Sequence, residues 1–140
     1  VADLLDGLAR WLDAAGLAAY DTTGTVGDLF IETMPATPDE AIALTLYGGP
    51  EPDSKLGYDE PSLQVRGRGG ADPRVSRRRV EAIRNELHGL GPVTLPDGTL
   101  LLSCISIQAV PASMGVDSTG RHEHVCNFRL EVRSLTKHRQ

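Results

Sequence analysis

The chain has 140 residues, 40% hydrophobic and 24% charged, with a formal net charge of −5. These values fit one globular domain, and no run is apolar enough for a membrane span, so no membrane partner is expected. Aromatics make up only 4%, so aliphatic side chains must fill the core, and a stacking platform for bases is not expected. The first residues lack the basic and apolar parts of a secretion signal. The chain begins at Val1 without a methionine, which fits processing or residues ahead of it.

The first segment, Asp3 to Ala15, reads as a helix. Leu4, Leu5, Leu8, Trp11, Leu12 and Ala15 recur at helical spacing, Asp3 can cap it, and Gly16 can end it. Gly7 is expected to weaken it slightly. A Thr/Gly-rich stretch, Thr22 to Gly27, leads to a strand at Leu29 to Met34, which the prolines Pro35 and Pro38 stop. Ala41 to Tyr47 is the next strand, with Ile42, Leu44 and Leu46 alternating on one face. Gly48 to Pro61 reads as a long loop rich in Gly, Pro and acids, a type of loop that is usually functional or mobile. Ser62 to Arg68 resumes as a strand, Leu63 and Val65 facing one way and Gln64, Arg66 and Arg68 the other.

The second helix has the clearest limits. Asp72 suits the cap and Pro73 the first helical position. Val80, Ile83, Leu87 and Leu90 form the apolar stripe, and Gly89 and Gly91 supply the stop. Val93 to Leu95 turns through Pro96-Asp97-Gly98 into a long strand, Thr99 to Val110, with Leu101, Ile105, Ile107 and Ala109 expected on one face. Pro111 to Gly120 is expected to be a second long loop. Glu123 to Arg133 is the last strand, with His124, Cys126, Phe128, Leu130 and Val132 on one face. The polar tail after it, 134–140, is expected to be flexible. The order α-β-β-β-α-β-β-β predicts one domain over 1–140 of α+β class, a mostly antiparallel sheet with two helices on one face.

Signals of chemistry are weak. His122-Glu123-His124 with Cys126 nearby looks like a metal cluster, but His122, His124 and Cys126 share a strand face that runs on into Phe128 and Leu130, and four spaced ligands are not visible. Gly67-Arg68-Gly69-Gly70 before a helix suggests an anion loop, yet it lacks both nucleotide fingerprints, and a strand-to-helix turn explains the glycines better. No GxSxG occurs. Carboxylate pairs such as Asp39-Glu40 and Asp59-Glu60 read as solvated loop charges. Cys104 and Cys126 read as buried thiols, able to pair only if their strands are neighbours.

The net charge conceals an asymmetry. Residues 1–60 hold twelve acids against two bases, and residues 61–140 hold seven acids against twelve bases, seven of them between Arg66 and Arg84. Opposed surfaces of this kind steer assembly with copies or partners.

Several segments taken together carry a family resemblance: Met34-Pro35 with Pro38-Asp39; Ala43-Leu44-Thr45-Leu46-Tyr47-Gly48-Gly49; Pro61-Ser62-Leu63-Gln64-Val65-Arg66-Gly67-Arg68; Gln108-Ala109-Val110-Pro111; Met114-Gly115-Val116-Asp117; Gly120-Arg121; and Asn127-Phe128 before an alternating strand. Their order and spacing resemble the minor capsid and tail-terminator family of tailed bacteriophages. The resemblance implies a virion protein of the tail and neck, assembled in the host cytoplasm, that forms a ring, usually a hexamer, at the head-proximal end of the tail. Such a ring stops tail-tube growth and docks a head-completion protein. The resemblance implies no cofactor and no catalytic or metal-binding residue, so the chain is not expected to be an enzyme. The alternatives are a head-completion neck protein (stopper or adaptor), or a small anion-binding domain or enzyme.

A closed ring joins two different faces of each subunit. One such face is assigned to Arg66, Arg68, Arg74, Arg77, Arg78, Arg79 and Arg84, and the other to the acidic first part. Contacts along the axis, to the tail-tube protein and the connector, are assigned to Glu51, Asp53, Lys55, Tyr58, Asp59, Met114, Asp117 and Arg121. Non-specific contact with DNA in the channel is a further expectation.

Overall fold

The computed structural model describes residues 3–23 and 26–140. Gly24 and Thr25 of the Thr/Gly-rich stretch lie outside the described residues, as do Val1 and Ala2. Two helices pack on a sheet of eight strands, as expected for an α+β fold.

Helix α1 spans Leu4–Ala14, and its cap is Asp3, whose carboxylate accepts from the Leu5 and Asp6 N–H groups. Its buried face is Leu5, Leu8, Ala9 and Leu12. Gly7 does more than loosen this helix: a Cβ there would lie 2.0 Å from Asp97 Oδ1 and 3.2 Å from Leu95 Cβ, so its absence lets the Leu95 to Gly98 turn lie against α1. Helix α2 spans Pro73–Leu87, with Asp72 as its cap and Val80, Ile83 and Leu87 fully buried.

The strands are β1 (Leu29–Ile31), β2 (Ala41–Tyr47), β3 (Tyr58–Asp59), β4 (Ser62–Arg68), β5 (Val93–Thr94), β6 (Leu100–Ser106), β7 (Ala112–Val116) and β8 (His122–Arg133). The sheet order is β1-β2-β4-β8-β6-β5, and β3 and β7 also pair with β8. Among the described residues only β1 and β2 pair in parallel, and the other strand pairings are antiparallel. The long β8 organises the sheet: β4 and β3 occupy successive lengths of one edge, β6 and β7 successive lengths of the other. The registers align across the sheet, with Leu29, Ile42, Gly67, His124 and Ser113 forming one row.

Ile42, Leu44, Leu63, Val65, Cys126, Phe128 and Leu130 meet both helices in one core, the aliphatic core that the composition demanded. Gly67 lets α2 approach β4, because a Cβ there would sit 2.4 Å from Val80 Cγ2.

Five expectations change. The strand expected to run to Met34 ends at Ile31, where Glu32 turns into the left-handed region at φ 58°. The loop at Gly48 to Pro61 contains β3. The strand expected over Thr99 to Val110 ends at Ser106, and a register shift between Leu101 and Ser103 turns Cys104 inward and Ile105 outward. Ile107 is 60% exposed rather than sharing Leu101's buried face. The expected loop after Pro111 contains β7, paired with the start of β8. The tail expected to be flexible is tied down: the Gln140 N–H donates to Lys55 O, the Gly57 N–H donates to Gln140 O, and Arg139 donates to the carbonyls of Leu56 and Tyr58 and lies 2.9 Å from Asp59.

Candidate functional site

The arginine group between Arg66 and Arg84 is not one basic patch. Arg66 forks onto both Glu123 oxygens at 2.7 and 2.8 Å. Arg68 is buried and donates to the carbonyls of Pro35, Pro38 and Asp39, fixing the proline-rich loop after β1, and burial lowers its pKa. Arg74 closes on its own helix cap, Asp72. Arg79 bridges to Asp28 at 2.7 Å, and Arg84 donates to Gln108 O. Arg77 and Arg78 are exposed and have no ion pair among the described residues.

These contacts orient α2. Ser76 Oγ meets His124 Nδ1 at 2.7 Å and Arg84 reaches Gln108, so this flank of the helix lies over the β6–β7 side of the sheet. Arg79 reaches Asp28 beside β1, so the opposite flank lies over the other side. Arg77 is seven residues from Arg84, two helical turns, and shares its flank.

The residues assigned to axial contact fall into two groups at opposite ends of the strands. Tyr58 and Asp59 pair with Arg133 and Val132, at the end of β8. Asp53 accepts from the Lys55 and Leu56 N–H groups, and Arg133 lies over the Tyr58 ring at 4.7 Å. Glu51 and Lys55 are exposed on the same loop. Asp117 and Arg121 lie at the turn between β7 and β8, at the start of β8. Arg121 bridges Asp117 at 2.8 Å and Asp39 at 3.2 Å. Hydrogen bonds from the Arg121 and Thr119 N–H groups help hold the Asp117 carboxyl well below the usual carboxylate range. Met114 is 57% exposed on β7.

The side chains that suggested chemistry have structural partners. Glu123 faces away from His124 and binds Arg66, His124 holds Ser76, and Cys126 Sγ lies 3.3 Å from Ser106 Oγ. Among the described residues no group of three or more His, Cys, Asp or Glu is placed to hold a metal. The Gly69 N–H, a candidate anion donor, donates instead to His122 O. Cys104 and Cys126 lie on neighbouring strands as free, buried thiols.

A feature that the sequence reading missed is the outer edge of β7. Both sides of β8 are filled, yet β7 has no strand beyond it among the described residues. Its signal was present: no charged residue occurs between Asp97 and Asp117.

The sequence matches the model of a family described as bacteriophage tail terminator protein, over residues 11–133. The chain belongs to the bacteriophage tail terminator family. It is therefore a structural protein of the tail and neck of a phage-like particle. Among solved structures, a chain from the virion of a native gene transfer agent particle has the same fold, with a TM-score of 0.61 at 17% identity over 94% of this chain and 95% of that one. A search of curated proteins finds no match.

Proposed function

We propose that copies of this chain close into a ring, a homohexamer, at the head-proximal end of the tail, where the ring stops growth of the tail tube and docks a head-completion protein. The observation that carries this reading is the family match over nearly the whole chain, and the placement of the two loop groups agrees with it. With the ring axis along the strands, the Glu51 to Asp59 loop faces one axial partner and the Asp117 to Arg121 turn faces the other. The fold shared with a chain of a gene transfer agent virion supports a place in the particle, reached by assembly in the host cytoplasm. In this reading binding alone does the work, with no cofactor and no bond made or broken. Arg77 and Arg78 are the unpaired members of the proposed basic interface, and DNA passing through the channel meets the ring without sequence readout.

Cryo-electron microscopy of the head-tail junction tests the proposal. The expected result is a ring of this subunit between the last tube ring and the connector, and overlong tails in particles that lack the protein. Density next to the portal would assign the chain to head completion instead, and absence from the particle would overturn the assembly reading.

A further inference from the structure

The two outer edges of the sheet are unlike each other. On the β6–β7 side, Ile105, Ile107, Val110, Met114 and Val116 are 37–65% exposed, half of the large hydrophobic side chains exposed among the described residues. No Lys, Asp or Glu occurs between Asp97 and Asp117. The outer side of β6 is taken by β5 and by His88 and Gly89, which leaves β7 as the free edge. Free edge strands in proteins are normally blunted by charge or covered by another element, so the apolar, uncharged edge of β7 points to a partner. At the other end of the sheet, β1 has β2 on one side only. On its other side the Leu29 N–H donates to Ala19 O, and a groove of about 170 Å³ is lined by Tyr20 to Thr23 and by Leu29, Phe30, Ile31 and Thr33.

Three features make these edges fit each other. The first is level: Ser113 lies in the same cross-sheet row as Leu29, and Ala112 in the same row as Phe30. A neighbour generated by rotation about an axis along the strands, with no rise, therefore brings β7 to the height of β1. The second is polarity. From the pairings, β1, β2 and β8 run one way and β4, β6 and β7 the other. The same rotation thus sets β7 antiparallel to the next β1, the more stable pairing per residue. The third is charge. Arg77, unpaired, sits on the helix flank over the β6–β7 side, while Glu32, exposed and without an ion pair among the described residues, follows β1 directly.

We infer that the β7 edge of one copy docks on the β1 edge and groove of the next, so that the sheets of neighbouring subunits join around the ring. The partner is a second copy of this chain, and the contact is heterologous, as ring closure requires. This inference rests on the ring reading above. It also assigns Met114 to the subunit interface, leaving Asp117 and Arg121 at the axial turn.

The test uses the full chain. Met114→Glu places a charge on the edge at an exposed position, so the melting temperature should stay unchanged while rings disappear from native mass spectra and from tail ends. Unchanged rings in this variant overturn the inference. Independently, the double variant Val110→Cys with Thr33→Cys should oxidise into a ladder of covalent oligomers, because Thr33 lies two residues past the end of β1 and Val110 two residues before β7, at the same end of the two edges. Rings that form without this ladder and tolerate Met114→Glu would refute the edge contact and leave the ring intact. Absence of any ring from both solution and particle would refute the ring reading itself, and the edge contact with it.

Discussion

The close approach of α2 to β4 predicts a specific energetic coupling between Gly67 and Val80. An added Cβ at position 67 would meet Val80 Cγ2 at 2.4 Å and Ile42 Cδ1 at 3.2 Å, whereas carbon atoms pack best at about 3.5–4.0 Å. Val80 would have to retreat by about 1 Å, but it is fully buried and its branched side chain has one strongly preferred rotamer in a helix. Overpacking of this kind costs about 1–3 kcal/mol, offset by roughly 0.5–1 kcal/mol from removing a strand glycine. Gly67→Ala should therefore destabilise by about 1–2 kcal/mol. Val80→Ala should cost about 2–3 kcal/mol through lost burial and a cavity. In the double variant the methyl at 67 enters the space left by Val80 Cγ2, so the total should fall short of the sum by about 1–2 kcal/mol. Chemical denaturation followed by Trp11 fluorescence measures all four corners of the cycle. Gly70→Ala, whose Cβ would meet nothing within 4 Å, is the control and should change stability by less than about 0.5 kcal/mol. Additive single effects, or a neutral Gly67→Ala, would show that the helix does not press on the strand here.

Three further outcomes follow from buried polar groups. Arg68→Lys cannot reproduce the guanidinium's reach to three carbonyls and should cost about 1–3 kcal/mol, with hydrogen exchange rising in the Met34 to Asp39 loop; protection equal to wild type there would refute the clamp. Burial pushes the Cys104 thiol up to about 12, so native protein should resist thiol reagents at a pH of about 8 and react only on unfolding; rapid labelling of the folded chain would contradict this. Burial first, then Arg77 and His122, lowers the His124 pKa from 6.5. The unfolded chain then binds the proton more readily, so this stability is complete above a pH of about 6.5 and declines as pH falls toward the folded value. His124→Gln should flatten the stability profile between roughly pH 7 and 5, and an unchanged slope would assign the loss to other groups.

Local signals carried most of the fold. Alternation placed β2 and β4 to the residue, and Asp72-Pro73 placed the start of α2, because capping and strand periodicity depend on neighbours in sequence. What failed depended on distant partners. Ile105 and Ile107 continue a plausible apolar face on paper, but the register shift after Leu101 reverses which side they occupy, and nothing in a single strand announces a bulge. The second length of β8 edge left free by β6 is what turns Ala112 to Val116 into a strand. The tail is ordered by carbonyls of the distant Lys55 to Tyr58 loop, a contact invisible to composition.

The charge asymmetry shows how far a sequence-level electrostatic argument reaches. Acids dominate the first 60 residues and bases the rest, which suggested two assembly faces. Much of that opposition is internal: Arg79 meets Asp28, Arg121 meets Asp39, Arg139 meets Asp59, and Arg68 is consumed by loop carbonyls. A chain whose first part pairs with its last must carry complementary charges in the two halves, whether or not it assembles. The evidence for assembly therefore lies in the remainder, not in the totals. Within that remainder Arg77 lies over one side of the sheet and Glu32 at the other, and β7 itself carries no charge to keep a neighbouring strand away.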